Sequence, residues 1–199
     1  ANGYIMMTLV SMADPGLVIR PFHRLLRKRA ELPRENLRVE LSRFFSLGSG
    51  LPASLETVKN FLSTTSGPDM LYLDASTRLL YPATLNANGE EFVKSNSRNM
   101  SSEWNHLGVS KVRSVVIGGV LGIPFESEAV HDILEFEKDP AAVLNKAVEP
   151  DYYGGFFLKP VDIATVKTIA AQGERMPQKS TNFFPKCYSG LVLSRLESF

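Results

Sequence analysis

Cysteine, histidine and net charge are all scarce in this chain of 199 residues, and each scarcity removes a class of protein. The single cysteine, Cys187, excludes an internal disulfide and a multi-cysteine zinc site, which is typical of a reducing cytosol. The three histidines, at 23, 106 and 131, are too scattered in sequence to predict a histidine-rich metal site. With 22 basic and 21 acidic residues, no global field draws the chain to nucleic acid or to an anionic membrane.

Long hydrophobic runs are also missing, since none approaches the roughly 20 residues that a membrane-spanning helix needs. The first residues, ANGYIMMTLV, have neither the basic region nor the cleavage site of a signal peptide. We therefore expect a cytoplasmic protein with no membrane partner. Its 44% apolar and 22% charged residues are ordinary for a globular domain, and its length suits one.

Hydrophobic periodicity predicts both helices and strands. The apolar residues 4–12 predict a buried strand, and the turn Asp14-Pro15-Gly16 then predicts a hairpin with residues 17–19. A second hairpin is predicted for residues 70–73 and 79–81. The spacing also predicts helices at 35–45, 54–62 and 110–121, with Ser54 as an N-cap.

The C-terminal part alternates strand, helix, strand, helix and strand. The predicted elements are strands at 133–136, 152–158 and 190–193, with helices beginning at Asp139-Pro140 and near Val161. This alternation favours parallel strands with crossover helices. We predict an α+β (mixed α/β) fold, in which helices pack on a mixed sheet with a C-terminal β-α-β-α-β portion.

One polar stretch interrupts this pattern at residues 86–105, NANGEEFVKSNSRNMSSEWN. Its weak apolar periodicity is typical of a poorly ordered loop or of a seam between two subdomains. We treat residues 1–199 as a single domain with this possible seam.

The segment at residues 173–192, GERMPQKSTNFFPKCYSGLV, combines cations, hydroxyls and aromatic rings. Pro177 and Pro185 prevent a continuous helix there, so we predict a loop between the helix at 161–172 and the last strand. Such a loop is either an anion or phosphate cradle, or a surface loop with solvated lysines. The candidate ligand-binding residues are Arg175, Gln178, Lys179, Ser180, Thr181 and Lys186.

Residues 173–180 nearly match the phosphate-binding pattern G-x-x-x-x-G-K-[ST], but we reject a true P-loop. Gln178 replaces the second glycine, and Pro177 removes an amide that a phosphate nest would use. A helix also precedes the loop where a strand should. No histidine lies near Ser180, Thr181 or Cys187 in sequence to serve as a base, so the catalytic residues remain unknown.

A second basic patch, at residues 20–29, contains His23 and Arg24 just after a predicted strand. Strand ends are places where ligands gather, so these two residues are expected to face an anion together with the 173–188 loop. The alternatives are a satisfied structural histidine and a solvated basic face. Because the cations form only two short clusters, a nucleic-acid partner is not expected.

Two long motifs carry a family resemblance that covers nearly the whole chain. GERMPQKSTNFFPK followed by SGLV, and the opening YIMMTLVSMADPGLVIRPFHRLL, resemble the prokaryotic family named "domain of unknown function 1015". The resemblance implies that this chain is the C-terminal half of a longer protein. The upstream half of the family carries an Asp-Gly-His-His-Arg motif similar to that of ParB-like and sulfiredoxin-like proteins, which include free-serine kinases.

Two functions follow as hypotheses. The resemblance implies a nucleotide-dependent phosphotransferase acting on a small metabolite, in which the 173–188 loop binds phosphate and a nucleotide is held mainly by the upstream half. The alternative is a non-catalytic module that binds a small anionic ligand or another protein through the same loop. The sequence is compatible with a homo-oligomer.

Overall fold

The strands of the computed structural model, which describes residues 7–29, 36–97, 99–124, 127–186, 188 and 190, form one large sheet and one small ribbon. The strands are β1 (Val18–Arg20), β2 (His23–Arg27), β3 (Phe45–Leu47), β4 (Leu51–Pro52), β5 (Met70–Asp74), β6 (Leu79–Leu85), β7 (Leu134–Glu137), β8 (Tyr152–Leu158) and β9 (Asn182–Phe184). Seven of them form the sheet in the order β3-β6-β5-β8-β2-β7, with β4 also paired to β6. β1 and β9 form the separate ribbon.

Helices cover both faces of this sheet. They are α1 (Leu37–Ser42), α2 (Leu55–Ser63), α3 (Ala87–Asn96), α4 (Ser102–His106), α5 (Gly108–Lys111), α6 (Ala129–Ile133), α7 (Pro140–Lys146) and α8 (Ile163–Ala171), and a π-helix runs over Val112–Val120. Side-chain caps explain several of their starts, because the oxygen satisfies an amide that has no partner within the helix. Ser54 Oγ accepts from the Thr57 amide at 3.1 Å, and Asp139 Oδ1 accepts from the Ala141 amide at 2.9 Å.

The core consists of two layers because successive side chains of a strand point to opposite faces. Along β5, Tyr72 belongs to the larger cluster with the π-helix and α3, whereas Leu71 and Leu73 belong to the cluster with α2 and α7. β8 is buried along its whole length, as its near-continuous apolar sequence requires. Gly154 in β8 has φ 151°, and a Cβ there would lie 2.1 Å from the Leu73 carbonyl oxygen.

The α+β class predicted from the sequence is confirmed, but the parallel portion is wrong. β8 pairs antiparallel with both β2 and β5, and every pairing among the described strands is antiparallel. The predicted β5–β6 hairpin is confirmed, with Tyr72 opposite Tyr81. The alternation of strands and helices along the chain predicted the type of each element but not the direction of the strands. The direction of β8 depends on β2 and β5, which lie far from it in sequence.

Two other structural predictions are corrected. Residues 7–12 are exposed and form no strand, and β1 pairs with β9 instead of forming a hairpin with them. The polar stretch at 86–105 is mostly helical, since it contains α3 and α4. Asn86 and Ser101 cap these two helices, and Trp104 is buried in the larger core cluster. The strand predicted at 190–193 falls mainly on residues outside the described ranges.

The described helices also bear on membrane insertion. Among the residues that the structure describes, no helix has both the length and the apolar character needed to cross a bilayer.

Candidate anion-binding site

Arg24 joins β2 to the loop that follows α8. Its Nη2 donates to the carbonyl oxygens of Lys179 at 2.9 Å and of Gln178 at 3.4 Å, and its Nη1 donates to the Phe22 carbonyl. The side chain is only 2% exposed, and burial lowers the pKa of Arg24 to about 9. At neutral pH Arg24 is therefore a buried cation whose donors are used to hold the loop.

Lys179 has a backbone conformation that L-residues rarely adopt, with φ 56°. A left-handed residue other than glycine costs on the order of 1–2 kcal/mol, and such strain persists only where the surroundings enforce it. Here Arg24 holds the Lys179 carbonyl, and the buried Ser180 Oγ donates to the Pro177 carbonyl at 2.5 Å. The resulting turn places Lys179 Nζ 5.4 Å from the centre of the Phe22 ring.

Lys138 approaches the same ring. It lies between β7 and the N-cap of α7, and its Nζ is 5.7 Å from the Phe22 ring centre. Both lysines line a cavity of about 650 Å³. The other charged and aromatic residues of the cavity wall are Phe22, Arg27, Arg29, His131, Asp132, Glu135 and Phe136. From the described residues, the cavity thus brings four cations of Lys and Arg together with two carboxylates and two phenylalanines.

The two carboxylates of the wall are already neutralised. Asp132 pairs with Arg29 at 3.4 Å. Glu135 accepts from Arg27 Nη2 at 2.5 Å, from the Tyr152 hydroxyl at 2.8 Å, and from Lys146 Nζ. Burial alone would raise the pKa of Glu135, but the hydrogen bonds from Lys146, Tyr152 and Arg27 outweigh it and lower that pKa to about 2.

Lys138 and Lys179 differ from the paired cations. Within the part of the chain that the structure describes, neither ammonium group has a carboxylate partner, and each contacts the Phe22 ring instead. Cation–π contacts are worth only about 0.5–2 kcal/mol and leave the ammonium donors free for an anion. This pair of lysines around Phe22, which we call the Phe22 lysine pair, is the centre of the candidate site.

His23 lies next to the site but contributes no positive charge to it. The side chain is 1% exposed, and its Nδ1 accepts from the Leu158 amide at 3.3 Å. Burial, followed by the neighbouring Arg24 cation, lowers the pKa of His23 to about 4. It is therefore neutral at physiological pH and packs at 5.1 Å from the Phe157 ring centre.

The remaining residues predicted from the sequence lie in different places. Gln178 is exposed, and its backbone carbonyl oxygen accepts from Arg24. The Ser180 hydroxyl donates to the Pro177 carbonyl within the loop. The exposed Arg175 offers its carbonyl to Trp104 Nε1 at 3.1 Å. Thr181 and Lys186 line another cavity, against α8. Cys187 lies outside the described residues.

The predicted convergence of the loop with β2 is therefore present for Arg24 and Lys179, but not for the whole set. Sequence reasoning missed Lys138 and Phe22. One sequence signal for Lys138 was available. Lys138 lies at the end of a predicted strand, just before the helix start at Asp139-Pro140, and the 20–29 basic patch also follows a predicted strand. Only tertiary structure shows that Phe22 is the surface shared by both lysines.

The fold and this cavity define an α+β protein with an antiparallel sheet and a basic, aromatic-walled cavity near the β2–β7 edge. The chain belongs to the family described as "Protein of unknown function (DUF1015)", whose family model matches residues 1–110. The match includes β2 and Phe22 and ends before the loop that carries Lys179. No curated protein and no solved structure matches the chain. The similarity to ParB-like proteins remains a prediction.

Proposed function

We propose that this protein binds a small phosphorylated ligand in the basic cavity, with the Phe22 lysine pair holding its phosphate. The observation that carries the proposal is that Lys138 and Lys179 meet at one ring without a carboxylate partner among the described residues. Lysine acts as a compact point charge toward phosphate, and such a pair gains from the arrival of an anion. Arg24 serves as a positioning residue that fixes the Lys179 turn.

The size and wall of the cavity favour a metabolite or nucleotide as the ligand. Small-molecule sites usually enclose roughly 300–1,000 Å³, and this cavity has about 650 Å³. Phe22 and Phe136 supply apolar surface beside the cations, which suits a ligand with a phosphate and a planar or aliphatic body.

In the wider setting of the family, we propose that the site serves a cytoplasmic nucleotide-dependent phosphotransferase acting on a small metabolite such as serine. An Asp-Gly-His-His-Arg segment, of the kind that the family resemblance implies upstream, would supply the chemistry. The alternative is a binding module without catalysis. That alternative is favoured by one observation: hydrogen bonds from Lys146, Tyr152 and Arg27 lower the pKa of Glu135, on the cavity wall, to about 2, so this carboxylate is poorly suited to accept a proton.

Isothermal titration calorimetry with inorganic phosphate, pyrophosphate and ADP tests the binding proposal. We expect at least one of these anions to bind, and the double variant Lys138→Gln/Lys179→Gln to bind it about tenfold or more weakly. Lys59→Gln is the matched control, because Lys59 is an exposed lysine on α2 that does not line the cavity. No binding of any of the three anions, or equal binding by the double variant, contradicts the proposal.

A turnover assay distinguishes a phosphotransferase from a binding module without catalysis. Incubation with a nucleoside triphosphate or diphosphate and serine should release the shorter nucleotide if the protein is a phosphotransferase, and the double variant should reduce that release. If the full-length protein binds the nucleotide but releases no shorter nucleotide, the result favours the binding module.

A further inference from the structure

A second cavity lies between α8, the β1–β9 ribbon and the segment before β1. Its volume is about 840 Å³, and most of its wall is apolar. On α8 the wall uses Ile163, Val166 and Ala170, which share one helical face because they are spaced by three and four residues. Val10 and Phe183 also line the cavity. We call this cavity the α8 groove.

Apolar side chains of the α8 groove are unusually exposed. Val10 is 54% exposed, Met12 45% and Phe183 39%. Single exposed apolar residues are common on protein surfaces, but a contiguous set around a concave surface indicates a binding site. Among the described residues, the groove and the basic cavity have no wall residue in common, although both receive residues from the loop after α8.

The polar residues of the α8 groove determine what kind of occupant fits it. Among the described residues they are Thr8, Lys167, Thr181 and Lys186, so every charge that the described part of the wall carries is positive. A second copy that docked by the same face would bring lysines against lysines, which like-charge repulsion disfavours. An occupant with an apolar body and a negative group matches both features of the wall.

We propose that the α8 groove binds a free amphipathic carboxylate, such as a medium-chain fatty acid. Its aliphatic chain would pack against the apolar face of α8 and against Phe183. Its carboxylate would pair with Lys167 or Lys186, neither of which has a carboxylate partner among the described residues. The volume of the groove lies within the usual range for small-molecule sites.

Calorimetric titration with decanoate, and with decanol as an uncharged probe of equal chain length, tests this assignment. We expect saturable binding of decanoate that is about tenfold or more tighter than that of decanol, because only decanoate pairs with a lysine. The double variant Lys167→Gln/Lys186→Gln should bring decanoate down to the affinity of decanol. Equal affinities of the two probes for the wild-type protein overturn the proposal.

A groove-filling variant locates the binding. Ala170 is exposed on the groove wall, so Ala170→Trp should fold normally, as checked by circular dichroism, and should lose decanoate binding. Val39→Trp is the control, since Val39 is an exposed residue of α1 away from the groove. Retained binding in Ala170→Trp overturns the assignment.

Two further outcomes assign the groove to a different occupant. Binding to phospholipid vesicles without binding to free decanoate would make it a membrane contact. A dimer detected by light scattering, which Ala170→Trp dissociates and decanoate does not, would make it a self-association face. Either result overturns the proposal.

Discussion

Two clusters of cations lie at or beside the basic cavity, and they differ in whether a carboxylate neutralises them. In the first, Glu135 joins Arg27, Lys146 and the Tyr152 hydroxyl in a closed network of hydrogen bonds. In the second, the Phe22 lysine pair contacts an aromatic ring and no carboxylate among the described residues. The first cluster therefore holds β2, β7, α7 and β8 together, whereas the charge of the second is available to the proposed anionic ligand.

Arg24 differs from both clusters because its guanidinium donates to backbone carbonyls. Replacing Arg24 should have the largest effect on stability. The variant Arg24→Met keeps the volume but leaves the carbonyls of Phe22 and Lys179 without their buried donor. Because a buried unsatisfied carbonyl costs about 1–3 kcal/mol, we expect the free energy of unfolding to fall by about 2–4 kcal/mol. Urea denaturation followed by circular dichroism measures this change.

A matched control for Arg24 is available on β1. Arg20 is exposed and lies 4.0 Å from the Phe184 ring centre, so Arg20→Met should lose less than about 1 kcal/mol. Equal losses in the two variants would show that Arg24 does not hold the loop as described.

Glu135→Gln should have the next largest effect, because it removes the charge that neutralises the first cluster. We expect a loss of about 1–2 kcal/mol at pH 6, since three donors lose their ionised acceptor. Anion binding at the Phe22 lysine pair should tighten slightly, because the cavity becomes more positive. The same calorimetric titration measures this second effect.

The stability difference between wild type and Glu135→Gln should depend on pH with a definite sign. The folded-state pKa of Glu135 is lowered to about 2 from an ordinary value of 4.5. Its stabilisation is therefore fully present above about pH 4.5 and disappears as the pH falls toward 2. Urea denaturation at pH 6 and pH 3 should show the difference shrinking. A constant difference would contradict the ionised network.

Lys179→Gly should have the smallest effect on stability while still removing a ligand contact. Glycine adopts φ 56° without strain, so we expect stability to be unchanged or to rise by up to about 1 kcal/mol. Anion affinity should fall nonetheless, because one ammonium group is lost. Arg78→Gly is the matched control, since Arg78 has the same φ but lies in the β5–β6 turn. A loss of anion binding in both variants would mean that binding does not depend specifically on the Lys179 ammonium group.

Local sequence signals predicted the parts of the fold that depend on neighbouring residues. The caps at Ser54 and Asp139, the β5–β6 hairpin and the extent of β8 all follow from short patterns. Strand direction was missed because it depends on long-range pairing. The helices at 86–105 were missed because polar caps at Asn86 and Ser101 act where apolar periodicity is weak.

The candidate site was predictable to a similar degree. The loop after α8 and the β2 region were both marked by clustered cations, and the bond from Arg24 to the Lys179 carbonyl joins them. No local pattern distinguished a buried cation whose donors bind backbone carbonyls, such as Arg24, from a cation that lines a cavity, such as Lys138. That distinction depends on burial and on partners supplied by other elements.

The most direct measurement of the central claim is an NMR titration of the ¹⁵N-labelled protein with pyrophosphate. If the unneutralised cluster is the binding site, the largest saturable shift changes should fall on the amides of Phe22, Lys138 and Lys179, with smaller changes at Arg27 and Lys146. Largest changes at Arg27 and Lys146, or small changes spread evenly over the surface lysines, would contradict it.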